Sequence, residues 1–199
     1  MLTDRQLEII HTSIKLISSK GIQGLTMKNL SKEIGISEPA IYRHYENKIE
    51  ILISILDYFS TTTQMIFVSE VQKTGSSLDK IQRIFDNHFK VFSETPSLVA
   101  VIFSEEIFRS EPLLAKKVKE IMERNSRAIQ AILEEGKQNG EIDQNHNVQH
   151  LAIIIMGSLR LLIKQWQMAD FAFDLQSKGI GFFKTLKQLV GAKISNEID

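Results

Sequence analysis

Glu38, Pro39, Ala40, Tyr42, Arg43 and His44 fall almost side by side, with Ser37 just before them and Lys48 just after. Together they offer a carboxylate, a methyl group, a phenol, a guanidinium, an imidazole and an ammonium. That chemistry suits double-stranded DNA. A guanidinium can fork onto guanine O6 and N7, a carboxylate can accept from cytosine N4, and a methyl can meet the thymine methyl. A bidentate pair of this kind discriminates between bases by about 1–3 kcal/mol. Other roles stay open for two of them: Glu38 also suits the positive end of a helix, and Arg43 can hold a phosphate instead of a base.

The elements that would position these groups lie within 26–52. Leu30, Ile34, Ile36 and Ile41 are spaced to form a small apolar core between two short helices, predicted over 27–34 and 38–45. Gly35 sits at the sharp turn between them, where a residue tolerant of positive φ is needed. Ser37 is the expected cap of the second helix. Pro39 follows inside its first turn, where a missing N–H costs nothing.

The rest of the chain is expected to be helical too. Thr3 with Gln6 has the capping-box pattern, Leu7, Ile10, Ile14 and Ile17 follow at helical spacing, and Gly21 stops that helix. Asn47 with Glu50 opens a long helix to about Lys73, roughly 40 Å at 1.5 Å per residue. Thr74-Gly75-Ser76-Ser77 is a break. Helices are then predicted over 78–94, 96–109, 112–138, 148–168 and 175–190, with no strand pattern, no repeat, and a polar tail from Lys193. The fold class is therefore all-α. A helix-turn-helix domain is expected over 1–46, joined by the long helix to a helical domain over 47–199.

Composition narrows the function classes. Lys+Arg and Asp+Glu both total 24, so the net charge is zero and non-specific polyanion binding is disfavoured. Even the first fifty residues set Arg5, Lys15, Lys20, Lys28, Lys32, Arg43 and Lys48 against Asp4, Glu8, Glu33, Glu38, Glu46 and Glu50. Without cysteine there is no disulfide, thiolate metal site or cysteine nucleophile. MLTDRQLEII lacks the pattern of a signal peptide. The apolar stretch 151–163 is too short to span a bilayer and is interrupted by Ser158 and Arg160. A soluble, cytoplasmic protein is expected, with no membrane partner and no cofactor. No G-x-S-x-G, P-loop, H-E-x-x-H or Gly-rich dinucleotide turn is present, so an enzyme is not expected.

Gly21, Thr26, Leu30, Ser31, Gly35, Ile36, Ser37, Pro39, Ile41, Tyr42, His44, Tyr45, Asn47, Lys48 and Leu52 stand in the register of the TetR family of bacterial transcriptional repressors, which the chain resembles. The resemblance implies a homodimer whose three-helix N-terminal domains bind a near-palindromic DNA operator, and a C-terminal domain that takes a small-molecule effector. By position, it implies that Glu38, Pro39, Ala40 and Arg43 face base edges. Tyr42, His44, Lys48 and Thr26 would hold phosphates, which fix register but carry no sequence information. Two recognition helices would lie roughly 34–36 Å apart.

The chain's eleven Phe and six Met, which lie mostly beyond the helix-turn-helix, supply adaptable apolar lining. Three apolar helix stripes each carry a polar exception: His88 among Ile81, Ile84, Phe85, Phe89 and Phe92; Glu105 among Leu98, Val101, Ile102 and Phe108; Asn125 among Val118, Met122, Ile129 and Ile132. Inward polar groups are costly unless satisfied. A cavity for a mainly apolar ligand and a structural hydrogen-bond network both explain them, and a metal on His88 and Glu105 is a thinner third reading. Phe59, Met65, Phe67, Phe103 and Arg160 complete the expected ligand-binding set with His88, Phe92, Glu105, Phe108, Met122 and Asn125. His146 and His150 are expected at a solvated helix end.

The stretch 151–163 is apolar nearly all round, which a helix exposed on a monomer could not be. The dimer interface is accordingly expected from Ile154, Gly157, Leu161, Phe182, Phe183 and Leu186, with Trp166 anchoring either that patch or its intramolecular edge. The leading function is a ligand-responsive DNA-binding regulator, most readily a repressor released by its effector. The alternative is an apolar-ligand carrier or sensor with a vestigial helix-turn-helix.

Overall fold

The computed structural model describes residues 2–104 and 111–191, apart from the Thr62 side chain. Glu105 and Phe108 therefore lie outside the described residues, as do the end of the helix expected over 96–109 and the polar tail. Among the described residues there are nine α-helices: α1 (Asp4–Lys20), α2 (Met27–Ile34), α3 (Glu38–Tyr42), α4 (Lys48–Gln72), α5 (Ser77–Glu94), α6 (Ser97–Ile102), α7 (Pro112–Gln138), α8 (Val148–Met168) and α9 (Leu175–Val190). The extended pairing among them is a single bridge, Ile142 with Gly191.

Local chemistry accounts for most helix ends. At α1, Gln6 N–H donates to Thr3 Oγ1 while Thr3 N–H donates to Gln6 Oε1 at 3.0 Å, a complete capping box. Asn47 Oδ1 accepts from the backbone N–H of Ile49 (2.9 Å) and Glu50 (3.1 Å) at the start of α4. Asn147 and Asp174 do the same for α8 and α9. Such caps contribute about 1 kcal/mol each.

The residues pack as two compact units, 1–62 with 95–121 and 63–94 with 122–199. The division expected from sequence at 46/47 concerns function, and packing divides the chain elsewhere: α4 and α7 each contribute to both units. In the first unit α1 packs on α2 and α6, around Ile9, Ile10, Ile14, Leu30, Ile41, Ile51, Ile55 and Val99, all buried. Among the described residues α4 is the helix long and apolar enough, by length and composition, to cross a bilayer, rather than 151–163. Its Ile51, Leu52, Ile55, Leu56 and Phe59 are instead buried within the first unit.

In the second unit α9 packs on α5 and α8. Phe85 meets Phe89 and Phe183 edge-on, with ring centroids 5.9 and 5.3 Å apart. The approach of α9 to α5 requires glycine at 179, where an added Cβ would stand 2.2 Å from Phe89 Cε2. Gly179→Ala is expected to lower stability by about 1–3 kcal/mol through overpacking. Thermal unfolding checks this; an unchanged midpoint would contradict so close an approach.

Candidate DNA-reading and effector sites

The helix-turn-helix is built as its sequence requires, with two adjustments. Gly35 adopts φ 79° and ψ 30°, and its N–H and that of Ile36 both donate to the Ser31 carbonyl. Leu30 and Ile41 are fully buried, while Ile34 and Ile36 are half-buried. The first adjustment concerns Ser37, which occupies the cap position of α3 but makes no side-chain cap bond. The reason is local. Pro39 has no N–H to offer, and the Ala40 N–H already donates to Ser37's own carbonyl at 2.9 Å.

The second adjustment is that α3 ends at Tyr42 rather than 45. His44 and Tyr45 both donate their N–H to the Ile41 carbonyl, and the Tyr45 side chain turns into the core at 4% exposure. Burial lifts its phenol above the usual tyrosine range. Outward of that core stand the expected DNA-facing groups. Ser37, Pro39, Tyr42, Arg43 and Lys48 are exposed; Glu38, Ala40 and His44 are half-buried. Thr26 is exposed at the head of α2, where its Oγ1 accepts from Asn29 N–H at 3.1 Å. Its hydroxyl hydrogen remains suited to a phosphate oxygen, since one hydroxyl can accept and donate together.

The expected effector residues divide. Phe67, His88 and Phe92 come together in the second unit: the His88 ring lies 5.4 Å from Phe67, edge-on, and 6.5 Å from Phe92. His88 is buried, and burial holds its imidazole below the ordinary histidine range, hence neutral. Its Nδ1 lies 2.8 Å from the Ile84 carbonyl, which can only accept, so Nδ1 carries the proton and Nε2 is the acceptor. Asn125 and Arg160 are half-buried in the same unit, whereas Phe59 and Phe103 belong to the first.

Two members of the set are misplaced: Met65 and Met122 are 68% and 47% exposed and line no interior. Both sit one or two positions from buried residues, Phe67 and Ile121, and the helical turn carries their side chains to the other face. Among the described residues no three His, Cys, Asp or Glu side chains group as metal ligands. His146 and His150 stand instead on a groove of about 400 Å³, with Asn145, Asn147, Leu151, Ile154, Leu186, Leu189 and Val190. It contains none of the expected effector residues.

The interface set also divides. Ile154 and Leu161 are exposed and Phe182 is half-buried, and a Cβ at Gly157 would meet nothing within 4 Å. Phe183 and Leu186 are corrected: at 1% and 4% exposure they are interior to their own chain, Phe183 edge-on to Phe85. Ile153, Met168, Ile180 and Leu189 are the additional exposed apolar side chains of α8 and α9. Trp166 is buried, donating Nε1–H to the Phe173 carbonyl and meeting Phe171 edge-on.

Comparison with known proteins bears on both units. Residues 9–55 match the bacterial regulatory proteins of the tetR family, and residues 61–189 match the C-terminal region of YsiA-like proteins. The fatty acid metabolism regulator protein of Bacillus subtilis (strain 168) is 24% identical over 171 residues, 86% of this chain and 88% of that one. Among solved structures, the fatty acid degradation regulator FadR of Bacillus halodurans superposes with a TM-score of 0.84 at 21% identity, covering 94% of this chain and 96% of the other. FadR of Bacillus subtilis in complex with stearoyl-CoA gives 0.79 at 22% identity, covering 90% and 96%. With a complete helix-turn-helix at one end and a matching regulatory region behind it, the chain belongs to the TetR family of bacterial regulatory proteins and is a ligand-responsive, DNA-binding transcriptional regulator.

Proposed function

We propose that this regulator is a cytoplasmic repressor that leaves a near-palindromic operator when a long-chain acyl-coenzyme A binds its second unit. The observation that carries the effector class is the match of residues 61–189 to the YsiA-like C-terminal region, together with likeness to a FadR that holds stearoyl-CoA. The local chemistry agrees with that class. Phe67, Phe92 and a neutral His88 suit a flexible apolar chain with few polar features, the usual make-up of a small-molecule site.

In this reading 1–46 reads DNA and 47–199 senses and dimerises. Glu38, Pro39, Ala40 and Arg43 address base edges; Thr26, Tyr42, His44 and Lys48 address phosphates. Dimerisation uses the outward face of α8 and α9, where Ile153, Ile154, Leu161, Met168, Ile180 and Leu189 are exposed. Gly157 and Gly181 add no side chain to that face, so a second copy can approach closely. The carrier reading is not favoured, since the helix-turn-helix keeps its buried core and its exposed polar face.

The test is operator retention with and without stearoyl-CoA, using DNA selected from fragmented genomic DNA by the purified protein. Release by stearoyl-CoA, with little effect from free coenzyme A or stearate, is the expected result. Retention unchanged by acyl-CoA esters of every chain length would remove the effector class, leaving DNA binding to stand separately.

A further inference from the structure

Three carboxylates from outside α5 converge on its N-terminal end. Glu70, near the end of α4, accepts from Arg83 Nε at 2.7 Å and also pairs with Lys73. Glu135 of α7 takes Lys80 Nζ on both oxygens at 2.7 Å. Glu141, just beyond α7, accepts from Ser76 Oγ and from the Ser77 N–H, each at 2.8 Å. Each of these three ion pairs has one interior member: Glu70 is 3% exposed and Lys80 is 1% exposed. All of these contacts lie within the second unit.

Burying charge in this way does little for net stability. Desolvation offsets much of the attraction, and apolar replacement of a buried pair is often neutral or stabilising. What such pairs supply is geometry, because a charge taken out of water must keep its partner. In this chain the geometry fixed is that of α5 against the ends of α4 and α7. Farther along the same helix, α5 carries His88, Phe89 and Phe92. One helix thus holds candidate effector contacts in its later turns and ionic ties to two other helices in its first two.

We infer that Lys80 and Arg83 are positioning residues of the regulator: with Glu135 and Glu70 they hold α7 and α4 in register with the helix that senses effector. The inference rests on the effector reading above for the ligand that drives it. A displacement of α5 by ligand reaches α4 through Arg83–Glu70, and α4 contributes residues 48–62 to the unit that carries the helix-turn-helix. Without that tie, ligand binds and α5 adjusts, but the two states of α4 are no longer distinguished. Coupling between two ligands exists only where each has different affinity for the two states.

The test compares wild type with Glu70→Gln and Lys80→Met in the full chain. Neither residue belongs to the DNA-reading set or to the His88 cluster. Glu70→Gln leaves Arg83 and Lys73, 43% and 51% exposed, to water, and Lys80→Met leaves Glu135, 36% exposed, likewise solvated. The readout is the ratio of operator Kd with and without saturating stearoyl-CoA, alongside stearoyl-CoA affinity and the melting temperature. The ratio is expected to fall about tenfold in both variants, while stearoyl-CoA affinity stays near that of wild type.

An unchanged ratio in both variants overturns the inference, whatever happens to melting temperature. If wild type itself shows no release by stearoyl-CoA, the effector reading fails, and hydrogen exchange decides the tie. Faster exchange of 63–72 in Glu70→Gln, with 148–168 unchanged, supports the positioning role. Unchanged exchange of 63–72 overturns it.

Discussion

Arg43→Ala is expected to weaken operator binding by about 1–3 kcal/mol, with the loss concentrated at one base position in each half-site. The expectation follows from an exposed guanidinium just past a helix held in place by the fully buried Ile41. Footprinting and binding to single-base operator variants measure it. Because Arg43 can also take a phosphate, the form of the loss is as informative as its size. A base contact makes wild-type preference vanish at that position while leaving other positions alone. A phosphate contact weakens every sequence alike and reduces the salt slope by about one. Lys48→Ala is expected to behave in the second way.

The other large effect concerns the outward face of α8. Leu161→Glu, placed where Leu161 is 60% exposed between Ile154 and Met168, is expected to give a folded monomer. Its cost to folding is small because the side chain is solvated in the single chain. Its cost to dimerisation is large, because two like charges would meet near a two-fold axis with no partner. Operator affinity should then fall by on the order of 10²–10⁴, the advantage of engaging two half-sites at once. Sedimentation of the variant, with circular dichroism to confirm helicity, checks the first part. A Leu161→Glu protein that remains dimeric with full operator affinity would place the interface elsewhere.

Much of the architecture is legible in the sequence because helix ends carry their own chemistry. Thr3 with Gln6 and Asn47 with Glu50 mark helices that form where expected; the Thr3–Gln6 bonds are reciprocal, whereas the Glu50 carboxylate accepts from the Glu46 N–H rather than from that of Asn47. The early end of α3 is not legible: nothing in His44-Tyr45 breaks a helix, yet both residues donate their N–H to the Ile41 carbonyl and the Tyr45 side chain turns into the core. The side-chain cap expected at Ser37 is absent because its partner N–H is taken up by Ser37's own carbonyl next to a proline.

Facing is harder to read than helicity. α4, α8 and α9 carry apolar residues on more than one side, so periodicity does not say which side meets the chain's own core. Met65 and Phe67 are two residues apart, and only Phe67 is interior. On α9, Phe183 and Leu186 turn inward toward α5 and its neighbours, while Ile180 and Leu189 turn outward. Gly179 is a place of close approach, and its partner is Phe89 of the same chain.

The charged residues are the least legible. Glu70 and Lys80 occupy positions that resemble a solvated face, since their partners Arg83 and Glu135 come from other helices. Local spacing carries no trace of a pairing fifty-five residues apart, such as that of Lys80 with Glu135. For Glu70, burial would raise the carboxyl, but hydrogen bonds and charge from Lys73 and Arg83 outweigh it and hold it below the usual range, so it stays ionised at neutral pH.

The most direct test is genomic selection by the purified protein at near-physiological salt, followed by titration of the recovered DNA complex with stearoyl-CoA. The predicted result is enrichment of a near-palindrome whose half-sites lie about one helical turn apart, and its release as acyl-CoA is added. Fragments recovered without any shared sequence, or none at all, would contradict the assignment of 1–46 as a sequence-reading domain.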